Sequence, residues 1–138
     1  MTNEKKYESI IDEITNDLII LPQTKLDTTI KLYTWKTRLD EIKEQMDQIE
    51  LQTEMGVEAS VDENGKAKFS NVTKRRYEQT RILDENEQHQ AMKKEYNALR
   101  RDIEDLQIKL DFYKDKMKSA VALTRICGGE WKWKKKTQ

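Results

Sequence analysis

The sequence predicts a mainly α protein: a long antiparallel helical hairpin of coiled-coil type with a short β-hairpin at its tip. Three observations carry this expectation. Apolar residues recur in alternating steps of four and three along two long stretches. A short segment of alternating character, holding a glycine, separates those stretches, and the stretches match in length. The 138 residues fit one domain, 1–138. Within it we place a kinked helical arm at 4–54, a β-hairpin tip at 55–70, a long helix at 71–127 and a basic-aromatic tail at 128–138.

The most regular element is the second arm. Met92, Tyr96, Leu99, Ile103, Leu106, Leu110, Tyr113, Met117 and Ala120 form an unbroken seam with neither Pro nor Gly inside it. In the first arm Tyr7, Ile11, Ile14, Leu18 and Leu21 precede Pro22, and Leu32, Trp35, Leu39, Ile42, Met46 and Ile49 follow it. Counting back from Leu32 in the same steps reaches Thr28, Lys25 and Leu21, so the phase survives Pro22. That favours one kinked arm. Thr24 and Asp27 supply the signal for the competing reading, a fresh N-cap and a folded-back first helix giving a three-helix bundle.

Gly56 is expected to end the first arm. Val57, Ala59 and Val61 then alternate with polar residues, as do Ala67 and Phe69, around Glu63-Asn64-Gly65. A three-residue loop with Gly65 left-handed pairs Val61 with Ala67 and Ala59 with Phe69, gathering the apolar residues on one face and setting Asp62 against Lys66. Ser70 or Asn71 caps the last helix, which is expected to stop at Gly128-Gly129. At about 1.5 Å per residue the arms are roughly 75 and 80 Å long.

Composition narrows the function classes. With 36% hydrophobic and 38% charged residues, the chain suits helices that each bury one stripe rather than a thick core. The formal net charge of +0 gives no whole-molecule attraction for nucleic acid. Residues 1–70 hold 9 basic and 15 acidic side chains (−6), and residues 71–138 hold the remaining 17 and 11 (+6). Opposite signs suit antiparallel packing of the halves. Cys127 is the only cysteine, so no internal disulfide forms and a cytoplasmic location is expected. Asn3, Glu4, Lys5 and Lys6 lead into an amphipathic pattern and not a signal peptide, and the longest apolar run, Leu18 to Pro22, cannot span a membrane.

Two resemblances follow from these residues. Helix, β-hairpin and helix with matched arms is similar to the layout of prefoldin subunits, which implies a chaperone that holds unfolded chains, although only one hairpin is visible here. The stretch from Gly65 to Arg125 carries a glycine-lysine pair, Phe69-Ser70-Asn71, Arg75-Arg76 and seam leucines ending in Ala122-Leu123-Thr124-Arg125. It resembles small uncharacterised helical-hairpin proteins of Gram-positive phages and mobile elements. That likeness implies a setting in DNA replication and recombination and does not imply an activity.

No catalytic residues, metal ligands or cofactors are expected, because a two-helix hairpin offers ridges and not a pocket for a small-molecule substrate. His89, the only histidine, stands in the seam register and reads as a register-fixing or solvent-facing side chain, with Glu85 the one candidate co-ligand for a metal. Two basic clusters remain as candidate partner or nucleic-acid contacts. Lys74, Arg75 and Arg76 stand at the positive end of a helix dipole, offset either by Glu50, Glu54 and Glu58 or by an anionic partner. In the tail, Trp131, Lys132, Trp133, Lys134, Lys135 and Lys136 interleave stacking faces with cations. A second apolar stripe, Ile10, Leu26, Ile30 and Tyr33 with Ile108, Phe112 and Leu123, points to a homo-oligomer, a dimer or higher. The expected function is a protein-binding accessory, adaptor or inhibitor in phage or mobile-element DNA metabolism. The alternatives are a nucleic-acid binder using the basic tail and a prefoldin-like chaperone.

Overall fold

The computed structural model describes the backbone of residues 3–137 and the side chains of residues 3–126. The chain is mainly α, with helices α1 (Asn3–Ala59), α2 (Val72–Glu85) and α3 (Glu87–Thr137). It divides into two compact units, one of Met1–Tyr33 with Glu104–Gln138 and one of Thr34–Ile103.

Helix α1 passes through Pro22 and Gly56 without a break, so residues 4–54 belong to one helix and its end moves from the expected Gly56 to Ala59. Thr24 does not cap a new helix. Its hydroxyl donates back to the Ile20 carbonyl at 3.1 Å, and Asp27 accepts from Gln23 at 2.8 Å, both inside α1. Gly65 is the one glycine of positive φ among the described residues, so Gly56 keeps right-handed helical geometry. A glycine of that kind weakens a helix without stopping it. Burial of Val57 at 2% exposure holds the last turn against the rest of the unit.

The β-hairpin at 55–70 does not form, because α1 has already taken Val57 and Ala59 and left too little chain for two strands. What remains is a single antiparallel bridge, Val61 opposite Ala67, with Gly65 at φ 75. The Asp62 carboxylate organises this turn by accepting the Asn64 and Lys66 amides at 2.9 and 3.0 Å. Asn71 then caps α2, its side chain accepting the Lys74 amide at 2.8 Å.

The expected single helix over 71–127 is instead two. Asn86 leaves helical geometry at ψ 104, closing α2 by donating its amide to the Leu83 carbonyl. It opens α3 by accepting the His89 amide on its own side chain at 2.8 Å. An asparagine side chain competes with the helical ladder for backbone donors, and here it wins between two seams. At the other end α3 runs on through Gly128 and Gly129 to Thr137, so the expected stop is absent. Each glycine costs a helix about 1 kcal/mol and does not forbid it.

Each unit is built on its share of the seam. In the Thr34–Ile103 unit Ile42 is fully buried and Ile103 is buried, while Trp35, Leu39, Met46, Ile49, Met92, Tyr96 and Leu99 are half-buried. Arg38 donates to Glu95 at 3.0 Å across its helices. In the other unit Ile14, Leu21, Thr28, Leu32, Leu106, Leu110 and Ala120 are buried and Tyr7, Tyr113 and Met117 are half-buried, whereas Ile11 and Leu18, counted in the seam, are exposed. Lys116 pairs with Asp17 at 3.4 Å.

Two stability experiments follow. Pro22 denies α1 a backbone donor, so Pro22→Ala is expected to raise stability by about 1–3 kcal/mol. Gly56→Ala, whose new Cβ meets nothing within 4 Å, should add about 0.5–1 kcal/mol. Urea midpoints measure both. By the same measurement Leu106→Asp, which places an unpaired carboxylate at a buried position, should cost several kcal/mol, against about 0.5 kcal/mol or less for Arg101→Asp on the exposed face.

Candidate functional site

Three surfaces carry groups beyond those the seam needs. The first is a polar contact inside the Thr34–Ile103 unit. His89 is 5% exposed, and its Nε2 lies 3.0 Å from the Glu50 carboxylate of α1. Its Nδ1 is buried with no hydrogen-bond partner among the described residues. The histidine therefore fixes register from within the interface and does not face solvent. Glu85, the one candidate co-ligand in the sequence, is engaged by Arg81 at 3.0 Å. No group of three or more His, Cys, Asp or Glu among the described residues is placed to hold a metal ion.

The second surface is the segment from the tip turn into α2. Lys74 and Arg76 are exposed and Arg75 is half-buried. Of the acids expected to offset them, Glu50 lies against His89, and no ion pair joins any of the three cations to an acid among the described residues. Glu54 and Glu58 stay exposed on α1 instead. A groove of about 500 Å³ opens beside the cations, lined by Lys68, Phe69, Thr73, Lys74, Tyr77 and Glu78. Lys68 lies over the Phe69 ring at 5.7 Å, and Tyr77 is 73% exposed. Arg81 grips Glu78 through its Nε at 3.1 Å and a second nitrogen, and holds the Glu78 carboxyl below the usual carboxylate range. Sequence reading located the three cations but missed Phe69, Tyr77 and Lys68 as their companions. The signal was there: residues 65–77 hold five cations, two aromatics and no acid.

The third surface is apolar and belongs to the other unit. Ile10, Ile19, Ile20, Leu26, Ile30 and Tyr33 are exposed on α1, and Ile108, Phe112 and Leu123 are exposed on α3. Among the described residues no helix is long and apolar enough to cross a membrane. The side chains of Cys127, Trp131, Lys132, Trp133, Lys134, Lys135 and Lys136 lie outside the described residues. No family model, curated protein or solved structure matches the chain.

The His89 contact generates a test. Glu50→Ala strands a buried imidazole nitrogen and is expected to cost about 1–3 kcal/mol. His89→Met removes both ring nitrogens at similar volume and should cost less, so the urea midpoint of the histidine variant should lie above that of the glutamate variant.

Proposed function

We propose that the protein is a non-enzymatic, protein-binding module of the helical-hairpin, coiled-coil kind, acting in the cytoplasm as an accessory, adaptor or inhibitor. The observation that carries this reading is the apolar face of the unit formed by Met1–Tyr33 and Glu104–Gln138. Ile19, Leu26 and Tyr33 recur every seven residues, with Ile30 between the last two, and all four are exposed. A heptad stripe of that kind is the surface a helix lays itself along. Exposed apolar faces of this extent mark interaction sites in soluble proteins. A second copy of this chain offers such a helix, which makes a homo-oligomer the first partner to test. The setting in phage or mobile-element DNA metabolism belongs to the same proposal and rests on the resemblance over Gly65 to Arg125.

Light scattering at concentrations on the order of tens of micromolar is expected to give a dimer mass or higher, the scale at which modest interfaces form. Ile19→Asp combined with Ile108→Asp, both on exposed positions, should return the monomer and leave the helical melting curve in place. A monomeric parent protein overturns the self-association. Retained binding of a foreign protein by that monomer would keep the module reading.

A further inference from the structure

We propose that the groove between the tip turn and α2 binds single-stranded nucleic acid, with bases stacked on Tyr77 and Phe69 and phosphates held by Lys68 and Lys74. The site is separate from the apolar face assigned to protein binding and shares no residue with it.

Charge is the first argument. Five cations fall between Gly65 and Tyr77 with no acid among them, in a chain whose formal net charge is +0. Lys66, Lys74, Arg75 and Arg76 have no ion-pair partner among the described residues. The only acid lining the groove, Glu78, is gripped by Arg81 from the next turn of α2, which also holds Glu85, and Lys68 adds its positive charge beside the same carboxylate. The first turn of α2 adds its own positive dipole end to the cations. An isolated helix would not gather cations there, and an anion that settles among them removes the conflict.

The shape and lining of the groove select the kind of anion. Thr73, Lys74, Tyr77 and Glu78 lie at i, i+1, i+4 and i+5 and so share one face of α2. Phe69 of the tip and Tyr77 line the groove together with Lys68 and Lys74, so ring surface and cations share it. An acidic peptide would meet the cations and leave the rings uncovered. A nucleotide strand uses both, because every base has a flat face that stacks on an aromatic ring while its phosphate meets a lysine or arginine. A rigid duplex hides its base faces from the two rings. The unpaired strand is therefore the ligand that fits.

Fluorescence anisotropy of a labelled oligo-deoxythymidine, titrated with the full-length protein over a range of salt, tests this. Binding should weaken with salt, and Tyr77→Ala should weaken it about tenfold at fixed salt because a stacking face is removed. Lys68→Gln with Lys74→Gln should flatten the logarithmic salt slope by about 0.7 for each phosphate no longer neutralised. Circular dichroism melting confirms that these exposed substitutions leave the helices intact. Truncation of residues 130–138 separates the tail from the groove: oligonucleotide binding that survives truncation and fails in the Tyr77 variant supports the proposal. Binding abolished only by truncation, binding of polyglutamate in place of the oligonucleotide, or no oligonucleotide binding at all overturns it.

Discussion

The structure depends on one constraint, that a helix with apolar residues every four and three positions has a single face it must keep out of water. Leu32, Ile42, Ile103, Leu106 and Leu110 satisfy that constraint, and the remaining features are arranged around keeping it in phase. Pro22 illustrates the strength of the demand. It removes a donor from α1, yet Leu21 and Thr28 on either side remain buried in the seam. The stripe on both sides outweighs the local penalty, and the helix continues.

Where the seam lapses, polar chemistry takes over. Between Asp84 and Gln90 no apolar residue claims a partner, and there Asn86 ends one helix and begins the next. The same joint delivers His89 into the interface, its amide tied to Asn86 and its ring to Glu50. The contact gives little net stability, but it penalises every other register, since a slipped helix would leave the buried imidazole without its carboxylate partner. Gln90 secures the joint from the other side by donating to the Leu83 carbonyl at 3.0 Å.

This explains which features could be read from the sequence. The seam was legible because its signal repeats many times and each repeat is local, so residues such as Met46 and Tyr96 fall in place by counting. The turn at Asp62–Gly65 was legible in its geometry, because only a left-handed Gly65 lets Val61 oppose Ala67. The flanking strands were not, since Val57 and Ala59 fit a helix face as well as a strand, and burial of Val57 decides the competition. Gly56 was read as a stop, although a glycine ends a helix by turning left-handed and tolerates its interior otherwise. The groove of Phe69 and Tyr77 was legible only as composition, five cations and two rings within residues 65–77, because the rings lie on different elements and their pairing depends on the fold.

The division of charge between the halves points the same way as that groove. A balance of −6 against +6 would be absorbed if acids of the first half met bases of the second throughout. The cross-helix pairs do not follow that rule uniformly. Asp17 with Lys116 has the expected sense, while Arg38 with Glu95 has the reverse, a base from the acidic half meeting an acid from the basic half. Exposed pairs of either sense contribute little to stability, so the packing has no strong need for the asymmetry. The basic excess instead collects where the chain reverses, at Lys66, Lys68, Lys74, Arg75 and Arg76, next to rings that the seam does not use. Charge that the fold neither pairs nor requires is available for a ligand, and its concentration beside Tyr77 and Phe69 sets what that ligand must bring: negative charge and a flat apolar face together.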